Sequence, residues 1–336
     1  MKVMKIALDR PTFDPSKGET VTLSFEINRQ ANVQVIIYDR LGREVRRFDM
    51  PTLEAGGHSV KWDGRRTDNE RAQGNVFLYT IEASDNRGRR FVYNPAKKSG
   101  GQLTKPLEFS CDRKTGKMEY VLPKNCMLRL RAGLKNGMLA RTIFDWQPFT
   151  AGRHKYEWDG KDETGTMSLL NHPELDLNLT PYALPANIVI VTDPVPFEST
   201  EKSGELQAGA KFDPWAKKGK YFHYGHDPRK CHEPRFAVSF PGPKKMNEES
   251  VPIVSGVTPL RVKLDPRDEQ HLIRTRFEVM VYVDGIFLFE MEEGTSPFTF
   301  NWKTKGLKKG PHVVTVNVMG YDGHIGVVSR KVIVEE

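Results

Sequence analysis

Cysteine is scarce in this chain: Cys111, Cys126 and Cys231 are the only three in 336 residues. They form no close-spaced ladder, and an odd count leaves one outside any disulfide, so cysteine usage fixes neither a disulfide framework nor a redox compartment. Long apolar runs are missing too, and no stretch approaches the length needed to cross a bilayer. No helical period persists far enough to compete with the alternating patterns below, and neither a phosphate-binding glycine loop nor a nucleophile elbow occurs. Charge of one sign is not concentrated. The formal net charge is +8, but Lys and Arg are spread through the expected strands and turns as on solvated faces, which speaks against a nucleic-acid partner. The start, Met1 to Arg10, reaches Asp9 before any apolar segment develops, so no signal peptide is recognised and a literal reading is cytoplasmic.

At 336 residues the chain suits two or three domains of about 100 to 150 residues each. A hydrophobic fraction of 38% beside 28% charged residues is adequate for folded cores. The organising feature is a repeat. Gly56-Gly57-His58-Ser59-Val60-Lys61-Trp62-Asp63-Gly64 returns as Gly152-Arg153-His154-Lys155-Tyr156-Glu157-Trp158-Asp159-Gly160, and both the His pair and the Trp pair are 96 residues apart. Constant spacing marks a repeated domain. In each copy period-two alternation leads into Trp-Asp-Gly, as a half-buried strand enters a tight hairpin.

Upstream, Val33 to Tyr38, a turn at Asp39 to Gly42 and a second strand match Met127 to Leu134 with its Asn136-Gly137 turn. Strands are expected at 20–27, 33–38, 43–49, 58–62 and 76–84 in the first copy. In the second, Met167 to Tyr182 reads as a loop insertion, and Leu184 to Thr192 as the closing strand. Between the copies Arg87, Arg89, Arg90, Lys97, Lys98 and Lys105 offer either one positive patch or a soluble linker. A third set follows, with an Asp284-Gly285 hairpin, the alternating Phe298 to Trp302, and strands from Gly310 and Val327. The expectation is an all-β chain of tandem sandwiches: residues 1–95, 106–193 with insertion 167–182, an irregular segment 194–257, and 258–336.

The first copy resembles the Ig-like module of flagellar hook-capping proteins, also found as a C-terminal appendage of secreted bacterial proteins. The matching residues are Ala31-Asn32-Val33, Val35, Tyr38-Asp39, Gly42-Arg43, Val45, Ala55-Gly56, His58, Trp62-Asp63-Gly64 and Val76 to Ala83. Where the family pattern has Asp and Gly after Trp-Asp-Gly, the first copy has Arg66 and Asn69, while the second keeps Asp162 and Gly165. The last set resembles Ig-like or fibronectin-like modules, whose Gly-x-His before the penultimate strand matches Gly310-Pro311-His312, although Trp302 is followed by Lys303-Thr304. The resemblance implies attachment, spacing or assembly without catalysis, and a periplasmic or extracellular setting.

His223, His226, Cys231 and His232 are the one dense set of borderline metal ligands, suited to zinc, copper or iron. Adjacent Cys231 and His232 point apart on a strand, and an ordinary polar interface loop is the competing reading. No other cofactor is expected. His58 and His154 read as structural, each paired across the strand to a polar group near its hairpin, and Asp63, Asp159 and Asp162 read as turn-capping carboxylates, with a calcium loop as a second possibility in copy two. Phe212, Trp215, Tyr221, Phe222, Tyr224 and Phe236 lie in a Pro- and Gly-interrupted basic stretch and read as anchors for a protein partner, or as rings folded back on the sandwiches. No nucleophile, base and oxyanion set is evident, so no enzyme is expected. The leading expectation is a structural or adaptor subunit; carbohydrate binding through exposed aromatics and an accessory role in a metal-containing redox complex are the alternatives.

Overall fold

A computed structural model describes residues 1–99, 101–196, 233–242 and 245–335. The first sandwich begins with β1 (Val3–Leu8), β2 (Thr12–Phe13), β3 (Val21–Ile27), β4 (Ala31–Tyr38), β5 (Glu44–Leu53), β6 (Gly56–Trp62), β7 (Val76–Ser84) and β8 (Arg90–Tyr93). Strands β1, β3 and β6 make one sheet, and β5, β4 and β7 run side by side in the other. Alternation explains β3: Val21, Leu23, Phe25 and Ile27 face the core, and the residues between them face outward. The β4–β5 turn is held by Asp39, whose Oδ1 accepts the N–H groups of Leu41 and Arg43, while Gly42 takes φ +81°. The same arrangement recurs between β7 and β8, with Asp85, Gly88 and Arg89 in those places.

This sandwich is not closed when the chain first leaves it. Among the described residues strand β8 pairs only with the Ile81–Ser84 half of β7. The chain then runs through a single turn, α1 (Ala96–Ser99), and the second sandwich: β9 (Gln102–Leu103), β10 (Glu108–Cys111), β11 (Lys117–Leu122), β12 (Cys126–Leu134), β13 (Leu139–Phe149), β14 (Gly152–Glu157) and β15 (Leu175–Ala183). It returns as β16 (Ile188–Val191), which pairs antiparallel with the other half of β7 and parallel with β2. Asn187 joins the two halves of this split strand: its carbonyl accepts the Tyr79 N–H at 3.0 Å, and its Nδ2 donates to the Tyr79 carbonyl at 2.6 Å.

The strand expected to close the second sandwich therefore completes the first. The second instead uses β15, which pairs along β12 and lies largely in the stretch read as a loop insertion. Its alternation is plain in Leu175, Leu177 and Leu179, all packed on the second core, with Pro181 in the same strand. Its sheets are β10–β11–β14 and β13–β12–β15–β9.

The third sandwich comprises β17 (Phe236–Ser239), β18 (Lys245–Met246), β19 (Pro252–Val254), β20 (Val257–Leu264), α2 (Pro266–Thr275), β21 (Phe277–Val283), β22 (Ile286–Met291), β23 (Phe298–Lys303), β24 (Gly310–Gly320) and β25 (Ile325–Val334). Its sheets are β17–β20–β23 and β18–β19–β25–β24–β21–β22. Helix α2 was not anticipated from periodicity, but its start is written locally. Asp265 accepts the Arg267 N–H as N-cap, Pro266 opens the first turn, and Asp268 and Glu269 place negative charge at the helix N-terminus. Asp268 is buried and held by both nitrogens of the Arg235 fork at 2.9 Å.

The sandwiches pack face to face. The outer face of β4, β7 and β16 presents Ile36, Tyr38, Leu78, Ile188 and Ile190 to Met127, Trp146 and Tyr182 of the second sandwich. This accounts for the unbroken apolar runs Val35–Tyr38 and Ile188–Val191, since a strand covered on both faces has no polar side to alternate with. Between the second and third sandwiches, the Leu139 N–H donates to Asn317 Oδ1 at 2.8 Å and the Leu139 carbonyl accepts Asn317 Nδ2 at 2.9 Å. Glu233 Oε1 accepts the Val327 N–H, its own N–H donates to Asp145, and burial raises the pKa of its carboxyl group.

Candidate functional site

Trp62 and Trp158 occupy matching places at the ends of β6 and β14, both buried in their own cores. Each indole N–H donates to the carbonyl three residues on, Arg65 at 2.9 Å and Lys161 at 3.2 Å. Asp63 and Asp159 each accept a backbone N–H two residues on at 3.1 Å. Gly64 and Gly160 stand at φ +79° and +72°, where an added Cβ would strike Pro15 or Leu170. The motif does not make a hairpin between paired strands: β6 lies in one sheet and the next long strand, β7, in the other, so Trp-Asp-Gly turns the chain across the core. Trp302 is buried at the corresponding end of β23, with Thr304 holding the Gly256 carbonyl through both its N–H and its hydroxyl.

His58 and His154 do not pair with a polar group across the strand. Each Nε2 contacts the carbonyl four residues back, Glu54 or Thr150, at 2.8 Å, and each ring lies near an aromatic ring of the facing strand, Phe25 or Tyr120. His312 uses the same device on the Lys308 carbonyl at 2.7 Å and adds Asp284 on Nδ1. Burial lowers the His312 pKa, but the Lys308 carbonyl and the Asp284 carboxylate outweigh it and the net shift is upward. Asp162 is buried, and its carboxylate is occupied by the Thr164 hydroxyl and the N–H groups of Thr166 and Met167, the work of a turn cap. In the first copy Asn69, at φ +70°, takes the left-handed position that Gly165 takes in the second.

His223, His226, Cys231, His232, Phe212, Trp215, Tyr221, Phe222 and Tyr224 lie outside the described residues. Phe236 lies on β17 and packs, half-buried, against the third core. Of the basic residues between the copies, Arg89 is paired with Asp85 and Arg90 with Glu82. Burial raises the Cys111 thiol and pushes Cys126 up to about 11, so neither is poised as a thiolate nucleophile.

One cluster escaped the sequence reading. His271 on α2 meets Asp322 and His324 in the turn between β24 and β25, with one ligand atom from each residue within 4.8 Å of the others. His271 Nε2 is 2.7 Å from Asp322 Oδ2, and His324 Nδ1 is 2.8 Å from Asp322 Oδ1. Burial raises the Asp322 carboxyl, yet the hydrogen bonds from both imidazoles outweigh it and hold the group well below the usual carboxylate range. No short sequence spacing joins His271 to the other two; the signals available were the capped start of α2 and the Asp322-Gly323 turn.

A second feature is the edge strand β22. It pairs only with β21 among the described residues, and Ile286, Phe287 and Leu288 are exposed along it, Ile286 by 75%. Phe287 and Tyr321 are the large exposed aromatics among the described residues, one on this strand and one in a turn, so they form no row along a sheet face. Among the described residues no helix is long and apolar enough to cross a membrane.

Residues 11–89 match the FlgD Ig-like domain family. Among solved structures, FlgD from P. aeruginosa is 21% identical with a TM-score of 0.23, over 27% of this chain and 66% of that one. The fibronectin(III)-like modules of Clostridium thermocellum CbhA are 11% identical with a TM-score of 0.22, over 98% of this chain and 94% of that one. The tetra-tandem repeat from the extending region of a large adhesion protein is also 11% identical with a TM-score of 0.22, over 98% and 73%. No curated protein matches the chain.

Proposed function

We propose that this protein is a non-catalytic structural or adaptor subunit that contacts protein partners in a periplasmic or extracellular assembly, any membrane contact being made through those partners. The first two sandwiches are then two copies of the FlgD-like Ig module, one inserted into the other, and the third is a fibronectin-like module. The observation that carries the reading is β22: a strand edge with no pairing strand among the described residues and three consecutive exposed apolar side chains offers backbone groups and apolar area together, the chemistry by which an extended segment of another protein adds to a sheet. The imidazoles of His58, His154 and His312 are each engaged by a backbone carbonyl, a structural use of the ring that fits this reading.

The test is photocrosslinking in native cells from a reactive residue at position 288, with position 61 on β6 as control. One partner joined through 288, absent from the control and lost on Ile286→Lys, is the expected result. Equal labelling from both positions, or none from 288, removes the reading.

A further inference from the structure

We propose that His271, Asp322 and His324 form a binding site for a single divalent cation of the zinc, cobalt and nickel class, which staples helix α2 to the β24–β25 turn. Two imidazoles and one carboxylate are a donor set these ions favour, and three protein ligands leave a fourth position for water. The geometry is close to what such an ion needs. Around a tetrahedral zinc with bonds of about 2.0–2.1 Å, neighbouring ligand atoms stand roughly 3.3 Å apart. The two His–Asp contacts, 2.7 Å to Oδ2 and 2.8 Å to Oδ1, are about half an ångström shorter than that, and all three ligand atoms lie within 4.8 Å of one another, so an ion seats when the carboxylate draws back slightly and the two imidazoles turn toward one another.

The three side chains are carried on fixed supports. The turn is closed by the Gly323 N–H on the Gly320 carbonyl at 2.9 Å and the Gly320 N–H on the His324 carbonyl at 2.7 Å. Gly320 leaves room for the ligand: a Cβ there would lie 2.6 Å from Asp322 Oδ1. On the other side α2 is anchored by buried Leu272 and by the Asp268–Arg235 pair. Access is from the His271 side, whose side chain is 35% exposed against 4% for His324. The site brings a helix and a turn 51 residues apart under one ion, a closure that stabilises a sandwich whose helix otherwise rests on few buried side chains.

The test uses the full chain, stripped with a chelator, in a background carrying His223→Ala, His226→Ala, Cys231→Ser and His232→Ala, so that the other set of candidate ligands contributes nothing. Titration with zinc by calorimetry is expected to show one equivalent bound and a raised Tm, and cobalt a visible band of tetrahedral intensity. His271→Ala, in which the partly exposed ring is removed and the fold is checked by circular dichroism, should weaken zinc by about tenfold or more, and Asp322→Asn should do the same. Absence of zinc binding in the fourfold background, or zinc held as tightly by His271→Ala as by its parent, overturns the proposal. Loss of the proposed cation site would leave the β22 contact untouched, so the two readings fail separately.

Discussion

Trp62 lies edge-on to Phe77 at 5.0 Å and to Phe13 at 5.6 Å between centroids, which makes it the centre of the first core. Replacing it with Ala, or Trp158 with Ala in the second sandwich, should cost about 3–5 kcal/mol by urea unfolding, because each cavity is walled by rigid strands. A loss below about 1 kcal/mol, the scale of a surface change, would mean that the site collapses freely and is no core anchor. His312 gives a pH signature of definite sign. Its folded pKa is raised, so its contribution is fully present below the unfolded value of about 6.5 and is lost as pH rises through the folded value. The third sandwich should therefore lose stability as pH climbs from about 6.5, and His312→Gln should flatten that slope in denaturant titrations run at successive pH values. An unchanged slope in His312→Gln would place the titrating group elsewhere. Trp62 was legible because its surroundings are local, the end of an alternating strand, whereas the carbonyl four residues back that His58, His154 and His312 each contact was not read from the sequence. The His271, Asp322 and His324 cluster was not, since only the tertiary fold brings α2 to the β24–β25 turn.

Strand type was readable from alternation in β3, and turn chemistry from Asp39 to Gly42 and from Asp284-Gly285, where both residues take positive φ. Strand ownership was not. Ile188-Val189-Ile190-Val191 has no polar side, so nothing in its pattern says which β-sheet it joins; the answer depends on the path of the intervening chain and on Asn187 reaching Tyr79. Val189 and Val191 are buried in the first core and bring about 1.5–3 kcal/mol each, so residues 1–94 alone should fail to fold. Asn94 Oδ1 and Asn187 Nδ2 stand 3.5 Å apart, which makes the converse deletion feasible. Joining residue 94 to residue 187 through two or three glycines, with Ile36, Leu78 and Ile190 changed to Thr to keep the uncovered face soluble, should give a folded single sandwich. Dispersed amide resonances for residues 1–94 without β16, or a disordered spectrum for the joined chain, would contradict the split-strand account.

At the scale of the whole chain, shared surfaces rather than linkers set the arrangement. The second sandwich is held to the first by both covalent crossings and the apolar layer around Trp146, where the Arg129 guanidinium lies 4.5 Å from the ring centroid. Its hold on the third combines apolar contact, with Tyr282 and Met280 packed on the second core, and hydrogen bonds from Arg131 to the Ile325 carbonyl, from the Ser329 N–H to Glu163 and at Asn317, which is 1% exposed and reads out both backbone groups of Leu139. Asn317 sits on the outer side of β24, while Val316 and Val318 fill the third core from the inner side, so changing it leaves that core intact. Asn317→Ala strands a buried donor and a buried acceptor, each worth about 1–3 kcal/mol when unsatisfied, and the cost falls on the junction alone. Calorimetry of the native chain should show one cooperative transition, and Asn317→Ala should split off the third sandwich as a separate one while hydrogen exchange quickens at Leu139 and not at Val316. Were the variant to melt as a single transition at the parental midpoint, Asn317 would carry none of the coupling, and the contacts of Tyr282, Met280, Arg131 and Ser329 would hold the junction without it.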